Sequence, residues 1–319
     1  MPRHDSETPA RRVLVTGGAG FIGSHATERL AAAGWDVTAL DNLVTGSRAN
    51  LQADVPFLPC DIRSRPDATR VLMEGRFDAV VHCAAQTSVE RSMKDPTFDR
   101  EVNVDGTRAL VDAAKASGVK RFVFLSSGGA IYGDSEKPAE ESSIPGPRSH
   151  YGVHKLAAEG TVRAGGLAYA ILRPSNVYGA RQRSDAEGGV VAIFMEKLRS
   201  GQAIEVHGDG RQLRDFVHVS DVTAAIELAL DTTEDVTWNV CSGQAASVLD
   251  VARAIGRALG REPAIGHGPR RAGDVDTSLL SPAALLATGR WGPPLSLDEG
   301  LRLTFAESPA PVIAAPAEA

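Results

Sequence analysis

Arg12-Val13-Leu14-Val15-Thr16-Gly17-Gly18-Ala19-Gly20-Phe21-Ile22-Gly23 is the stretch on which the fold turns. A short β-branched run ends in a glycine-rich turn, and the turn opens into a helical pattern over Phe21–Ala33. Gly17, Gly20 and Gly23 follow a G-x-x-G-x-x-G spacing. Such a loop turns tightly and brings its backbone close to a pyrophosphate. It also aims the first helical amides, here those of Phe21, Ile22 and Gly23, at an anion. Eighteen residues after Gly23 stands Asp41, at the end of a second apolar run over Asp36–Leu40. An acid there bonds both hydroxyls of an adenine-linked ribose and repels a 2′-phosphate, so NAD is predicted in preference to NADP.

Outward from this unit the same alternation continues. Strands are predicted over Val55–Leu58, Ala79–His82, Arg121–Leu125 and Ala168–Leu172, and helices over Pro66–Glu74, Pro96–Ser117 and Tyr151–Val162. Short apolar runs separated by helices are strands buried on both faces, hence a parallel sheet. The order predicts an α/β chain with a doubly wound parallel (Rossmann) sheet. Beyond residue 178 the alternation loosens. A helix over Gly189–Ser200, a strand over Asp215–Val219, a helix over Asp221–Leu230, a strand over Val236–Val240 and a helix over Val248–Leu259 are expected. They form a smaller, partly discontinuous α/β substrate lobe, some of whose elements extend the first sheet. The expected organisation is a flexible leader (1–11), an NAD-binding domain (12–178 plus about 215–242), a lobe for the second ligand (179–214 plus 243–305) and a disordered tail from Ala306.

Composition excludes other classes. Of 319 residues, 34 are basic and 40 acidic, a net charge of −6, which disfavours a sequence-independent nucleic-acid binder. A hydrophobic content of 43% is enough for a core, so the chain is not disordered. Cys60, Cys83 and Cys241 are far apart and form no CxxC, which fits a reduced cytoplasmic protein with no metal site. The polar start is no signal peptide, and no apolar run approaches the roughly 18 residues of a membrane helix.

The chemistry centres on Tyr151-Gly152-Val153-His154-Lys155. An i, i+4 spacing at a helix start places both side chains on one face. A free phenol titrates near 10, too high for a base at neutral pH. A neighbouring ammonium and a positive nicotinamide ring both favour the phenolate. A donor from the end of the fifth strand, Ser126 or Ser127, completes the site by bonding the substrate oxygen. Around the cofactor, Asp61 and Ile62 fall where adenine would sit, beside Asp41 and Asn42. The small residues of His82-Cys83-Ala84-Ala85-Gln86 let backbone approach it. His82 reads as packed structure.

Together with Arg173-Pro174-Ser175-Asn176-Val177-Tyr178-Gly179 and Arg214-Asp215-Phe216-Val217-His218-Val219, these motifs resemble the extended short-chain dehydrogenase/reductases. Within them the chain is similar to the NAD-dependent epimerase/dehydratase family, nearest the UDP-hexose 4-epimerases, over about residues 12–305. The resemblance implies an enzyme that epimerises a nucleotide sugar at C4 through a transient 4-keto sugar, with tightly bound NAD and a homodimeric assembly. It places Gln86 and Asn103 near the cofactor. It places Asn176, Val190, Arg214, Arg271 and Asp274 around the nucleotide sugar, the two arginines on its phosphates. Relatives carry the catalytic Ser or Thr four residues before the Tyr of the Tyr-Gly pair; here that position is Gly128, Ser127 stands five before Tyr132, and since a subset of relatives has this Ser-Gly-Gly form the resemblance favours Ser127 over Ser126. Dehydratases of the family resemble Thr-Asp-Glu at this strand end, whereas this chain has Gly-Gly-Ala, so water elimination is disfavoured. Asp41 disfavours an NADPH-consuming reductase, and retention of Tyr151 and Lys155 disfavours a non-catalytic scaffold. Ser278, seven after Arg271, keeps an N-acetylhexosamine open, and Arg181 a hexuronate.

Overall fold

The computed structural model describes residues 10–134, 137–185, 189–270 and 275–308. In chain order its strands are β1 (Arg12–Thr16), β2 (Asp36–Asp41), β3 (Phe57–Pro59), β4 (Ala79–His82), β5 (Arg121–Leu125), β6 (Ala168–Pro174), β7 (Asn176–Tyr178), β8 (Ile204–His207), β9 (Leu213–His218), β10 (Val236–Val240), β11 (Ala245–Ser247), β12 (Ile265–Gly268) and β13 (Thr277–Ser278). The helices are α1 (Phe21–Ala32), α2 (Arg65–Gly75), α3 (Val89–Lys94), α4 (Pro96–Arg100), α5 (Thr107–Ser117), α6 (Gly128–Ile131), α7 (His150–Ala164), α8 (Val190–Arg199), α9 (Val219–Asp231), α10 (Val248–Leu259), α11 (Ala283–Leu286) and α12 (Leu297–Glu307). A π-helical turn over Glu101–Gly106 joins α4 to α5.

Seven strands form one parallel sheet in the order β10-β6-β5-β4-β1-β2-β3. The order reverses between β1 and β4, and the crevice outside the carboxyl ends of those strands is where doubly wound sheets bind ligands. The strands are buried on both faces, as their near-continuous apolar runs require. Ala26 and Leu30 of α1 and Val222, Ala225, Ile226 and Ala229 of α9 cover one face. Ala68, Val71 and Leu72 of α2, Leu110 and Ala114 of α5, and Ala158 and Val162 of α7 cover the other. A separate core gathers Phe194 and Leu198 of α8, Ile204 and Val206 of β8, Phe216, Ile255 of α10 and Leu301 of α12.

Four expectations need correction. The helix predicted over Pro96–Ser117 is interrupted: it is α4, the π turn and α5, because Asn103 and Thr107 bend the chain around buried hydrogen bonds. The third strand is Phe57–Pro59 rather than Val55–Leu58; Val55 instead bonds back to Gln52 in a turn. The strand over Asp215–Val219 does not extend the first sheet. As β9 it pairs with β7, β11 and β13, while β10 takes the place beside β6. Ala306 and Glu307, predicted to open a disordered tail, are helical: α12 runs to Glu307 behind a Ser296/Glu299 capping box, and Arg199 donates to the Ser308 carbonyl. The end of the leader is also tied down: Arg11 pairs with Asp231 and lies over Trp35. Among the described residues, no helix is long and apolar enough to cross a membrane, and no group of three His, Cys, Asp or Glu could hold a metal.

Candidate active site

The glycine loop is shaped by contacts that a side chain would destroy. Gly17 has φ +66°, and a Cβ there would lie 2.6 Å from the Ala84 amide nitrogen. A Cβ on Gly23 would run into the Gly17 carbonyl. The Gly20 amide donates to Gly17 O at 3.0 Å, and Gly18 N donates to Leu40 O at 3.1 Å, fastening the loop to β2. α1 begins with no side-chain cap and no acid in its first turn, so its positive end is not offset by its own residues. This is a cradle with an open helix terminus, and it fits the pyrophosphate of a dinucleotide.

Asp41 is buried at the tip of β2. One carboxylate oxygen accepts from Ala19 N at 3.1 Å and the other from Leu43 N at 2.8 Å. Burial pushes its pKa up against those amides. Next to it, Asn42 donates to Asp61 at 3.1 Å, and Asp61 is held at about 2, first by its hydrogen bonds from Arg63. Ile62 is buried against Gly106. Ala84 and Ala85 stay half-buried after β4.

Ser149 caps α7, accepting from Gly152 N at 3.1 Å, so Tyr151 stands in the first turn. A Cβ at Gly152 would collide with the Ala130 carbonyl, and its absence lets α7 press onto α6, which starts right after Ser127. The Ser127 hydroxyl makes no capping bond and hydrogen-bonds the Tyr151 phenol. Lys155 Nζ donates to Leu125 O at 2.5 Å and lies 4.3 Å over the Phe124 ring. Tyr151, Lys155 and Ser127 are therefore joined at the end of β5. The electrostatics differ from expectation. Burial pushes Tyr151 up to about 12, partly opposed by the Ser127 bond, and pushes Lys155 down to about 8. In the protein alone the ammonium has not brought the phenol toward neutrality.

The two serines part company. Ser126 is buried and donates to Glu159 at 2.7 Å, so its hydroxyl is committed away from Tyr151. Glu159 also receives Arg173 through Nε at 2.8 Å and Nη2 at 2.6 Å, and Arg163 at 3.0 Å. Burial raises its pKa, but these cations and donors outweigh it and hold the carboxyl below its usual range. Arg173 reaches on to Tyr132, whose hydroxyl donates to Asn239. Neither Glu159 nor Arg173 was singled out for a role at the site from the sequence. The signal existed: Tyr151, Lys155, Glu159 and Arg163 recur at i, i+4 along one helix face. Gly128 is explained as well. A Cβ there would strike the end of the Leu280 side chain and lie 3.0 Å from the Arg173 carbonyl, so a hydroxyl-bearing residue fits only if Leu280 gives way.

Gln86 and Asn103, expected at the cofactor, spend their polar atoms on the protein. Gln86 Nε2 donates to Asp99 and to Ser88 O, and its Oε1 accepts from Ser88 N. Asn103 exchanges bonds with the Gln86 backbone and donates to Asp99. These bonds shape the loop after β4. His82 is buried between Thr16 and Thr107, and burial lowers it to about 3, so it is neutral structure. On the small sheet, Asn176 on β7 donates to Asp215 O at 2.9 Å, and Arg214 on β9 lies opposite Ser278 on β13. Val190 opens α8. Arg181 is taken by Glu28 at 2.7 Å and does not stand ready for a substrate carboxylate. Arg271 and Asp274 lie outside the described residues.

The model of the family described as NAD dependent epimerase/dehydratase matches residues 13–241. The chain belongs to the NAD dependent epimerase/dehydratase family. A UDP-glucose 4-epimerase of Mycolicibacterium smegmatis is 38% identical to this family member over 304 residues, covering 92% of this chain and 97% of that one. A Thermus thermophilus UDP-glucose 4-epimerase solved with NAD superposes with a TM-score of 0.88 at 43% identity, covering 93% and 98% of the two chains. A Thermotoga maritima UDP-glucose 4-epimerase solved with UDP-glucose has the same TM-score and coverage at 38% identity.

Proposed function

We propose that this family member is an NAD-dependent 4-epimerase of UDP-glucose and UDP-galactose. The observation that carries the reading is the Ser127–Tyr151–Lys155 constellation beside a glycine cradle, at a strand end with no acid to drive elimination. Gly17, Gly20, Gly23 and the start of α1 hold the pyrophosphate, and Asp41 takes the adenosine ribose. When bound, NAD would supply a reversible hydride acceptor for C4 and a positive charge that would favour the phenolate. Tyr151 takes the O4 proton and gives it back. Ser127 donates to the substrate oxygen and steadies the phenolate. Lys155, held on Leu125 O, keeps positive charge next to the base. Moving Tyr151 from about 12 to neutrality requires roughly 7 kcal/mol of differential interaction. Asn176 and Arg214 hold the diphosphate, Val190 lies beside the nucleotide, and the lobe bearing them is the sugar-nucleotide half.

The test is incubation with UDP-glucose or UDP-galactose, without added reductant, followed by NMR. A mixture of the two 4-epimers is expected. Absence of turnover on every UDP- or dTDP-hexose, hexosamine and hexuronate would refute the reading. The exposed Val89 and Met93 of α3 and Val153 of α7, on helices that pack together, support a homodimer through this face. Sedimentation of a Val153→Asp, Met93→Asp double variant as a monomer, against a dimeric parent, is the expected result; a monomeric parent refutes it.

A further inference from the structure

Three acids among the described residues have no exposure at all: Asp99, Glu159 and Asp215. Glu159 is matched by Arg173, and Asp215 by Ser175, Ser242 and the Gly243 amide. Asp99 has a different setting. It sits in α4, just before the π turn. One of its oxygens accepts from Gln86 Nε2 at 2.5 Å and Asn103 Nδ2 at 3.1 Å. The other meets His154 Nδ1 at 2.5 Å. His154 follows Tyr151 by three residues and precedes Lys155 by one, and its side chain is 13% exposed. A carboxylate oxygen can only accept, so at this separation the proton belongs on Nδ1, whether the ring is neutral or charged. Asp99 thereby joins its own helix, the loop after β4, the π turn and α7. The reaction as derived uses none of these contacts.

We propose that Asp99 and His154 form a positioning dyad that clamps the Tyr151–Lys155 turn of α7 against the loop after β4. The proposal rests on the epimerase reading, since its consequence is a rate. The Asp99 charge raises both Tyr151 and Lys155, as the last contribution behind burial and, at Lys155, behind Glu159 and Cys83. The contact also lies within one turn of the base, where a displacement of about 1 Å costs on the order of 100-fold in rate. His154 touches no reacting atom; it acts through the helix.

The experiment is steady-state kinetics on the full chain with bound NAD and UDP-glucose. For His154→Ala, kcat falls about 10- to 100-fold while KM stays within about twofold, because the loss is of alignment and not of substrate contact. His154→Asn, which returns an N–H near the place of Nδ1, recovers kcat to within about threefold of the parent. An unchanged kcat in His154→Ala, or an Asn variant no better than the Ala variant, overturns the dyad. A second measurement needs no turnover. The short Asp99–His154 bond gives an exchangeable proton downfield of the amide region in the 1H spectrum, absent from His154→Asn and from Asp99→Asn. Its absence from the parent protein also overturns the proposal. If the parent epimerises nothing yet shows this proton, the epimerase reading fails and the contact stands. If the parent epimerises and His154→Ala keeps its kcat, the dyad fails and the epimerase reading stands.

Discussion

Replacement of Glu159 by Gln removes the charge beneath the strand end that carries Ser127. In the folded protein Glu159 accepts from four donors: Ser126, two nitrogens of Arg173, and Arg163. An amide turns one acceptor into a donor, which must then face one of those donors. Arg173, 4% exposed, is left with an uncompensated charge. Breaking a buried pair in this way costs about 3–5 kcal/mol. With an unfolding entropy of about 2.1 cal/mol/K per residue, 319 residues give roughly 0.7 kcal/mol/K, so the melting temperature falls by about 4–7 °C. Differential scanning calorimetry measures it. The double replacement Glu159→Leu with Arg173→Met, which removes both charges, recovers most of the loss. The pH dependence has a definite sign. The folded pKa of Glu159 lies below the ordinary value of 4.5, so its contribution is fully present above about pH 4.5 and is lost as pH falls through the folded value. The gap between parent and Glu159→Gln is therefore widest near neutrality and closes below pH 4.5. A fall of under about 1 °C, or a double variant as unstable as the single one, refutes the reasoning.

Tyr151→Phe lowers kcat by about 10²–10⁴-fold while the purified protein retains its NAD, measured by cofactor release and absorbance; a variant that keeps turnover removes Tyr151 as the base. Gly17→Ala puts a methyl group against the Ala84 backbone at a positive φ, and the purified protein emerges without NAD but with unchanged far-UV circular dichroism. Normal NAD content in that variant means the cradle is elsewhere. Gly128→Thr costs about 1–3 kcal/mol by overpacking against Leu280, and Leu280→Ala in the same chain relieves part of it. If the second change worsens stability additively, Leu280 is not what excludes the side chain.

The glycine cradle could be read along the chain because its parts are contiguous. Thr16 to Gly23 carry the strand end, the turn and the helix start in eight consecutive residues, and glycine spacing reports backbone geometry directly. Tyr151 and Lys155 were legible for the same reason, since an i, i+4 pair on a helix needs no tertiary information. Ser127 was favoured over Ser126 only through the family resemblance, because local pattern did not separate them. They are neighbours with the same hydroxyl, and what tells them apart is Glu159, thirty-three residues from Ser126. That the side-chain amides of Gln86 and Asn103 close on Asp99 was not legible, because a motif names a residue but not the atom it bonds. The break in the predicted long helix has no proline to mark it: a π turn only moves the backbone hydrogen bond from i−4 to i−5 over Glu101–Gly106.

Local pattern alone was enough for the doubly wound sheet, the glycine cradle, Asp41 and the Tyr–Lys pair, because periodicity, spacing and turn chemistry are properties of neighbouring residues. Which hydroxyl faces the base, why Gly128 carries none, how far burial pushes Tyr151 from neutrality, and that Asp99 grips the same helix turn were decided by tertiary packing. Each depends on the distance, the desolvation and the hydrogen-bond partners of groups that are remote in the chain and meet only when β5, the loop after β4 and α7 close on one another.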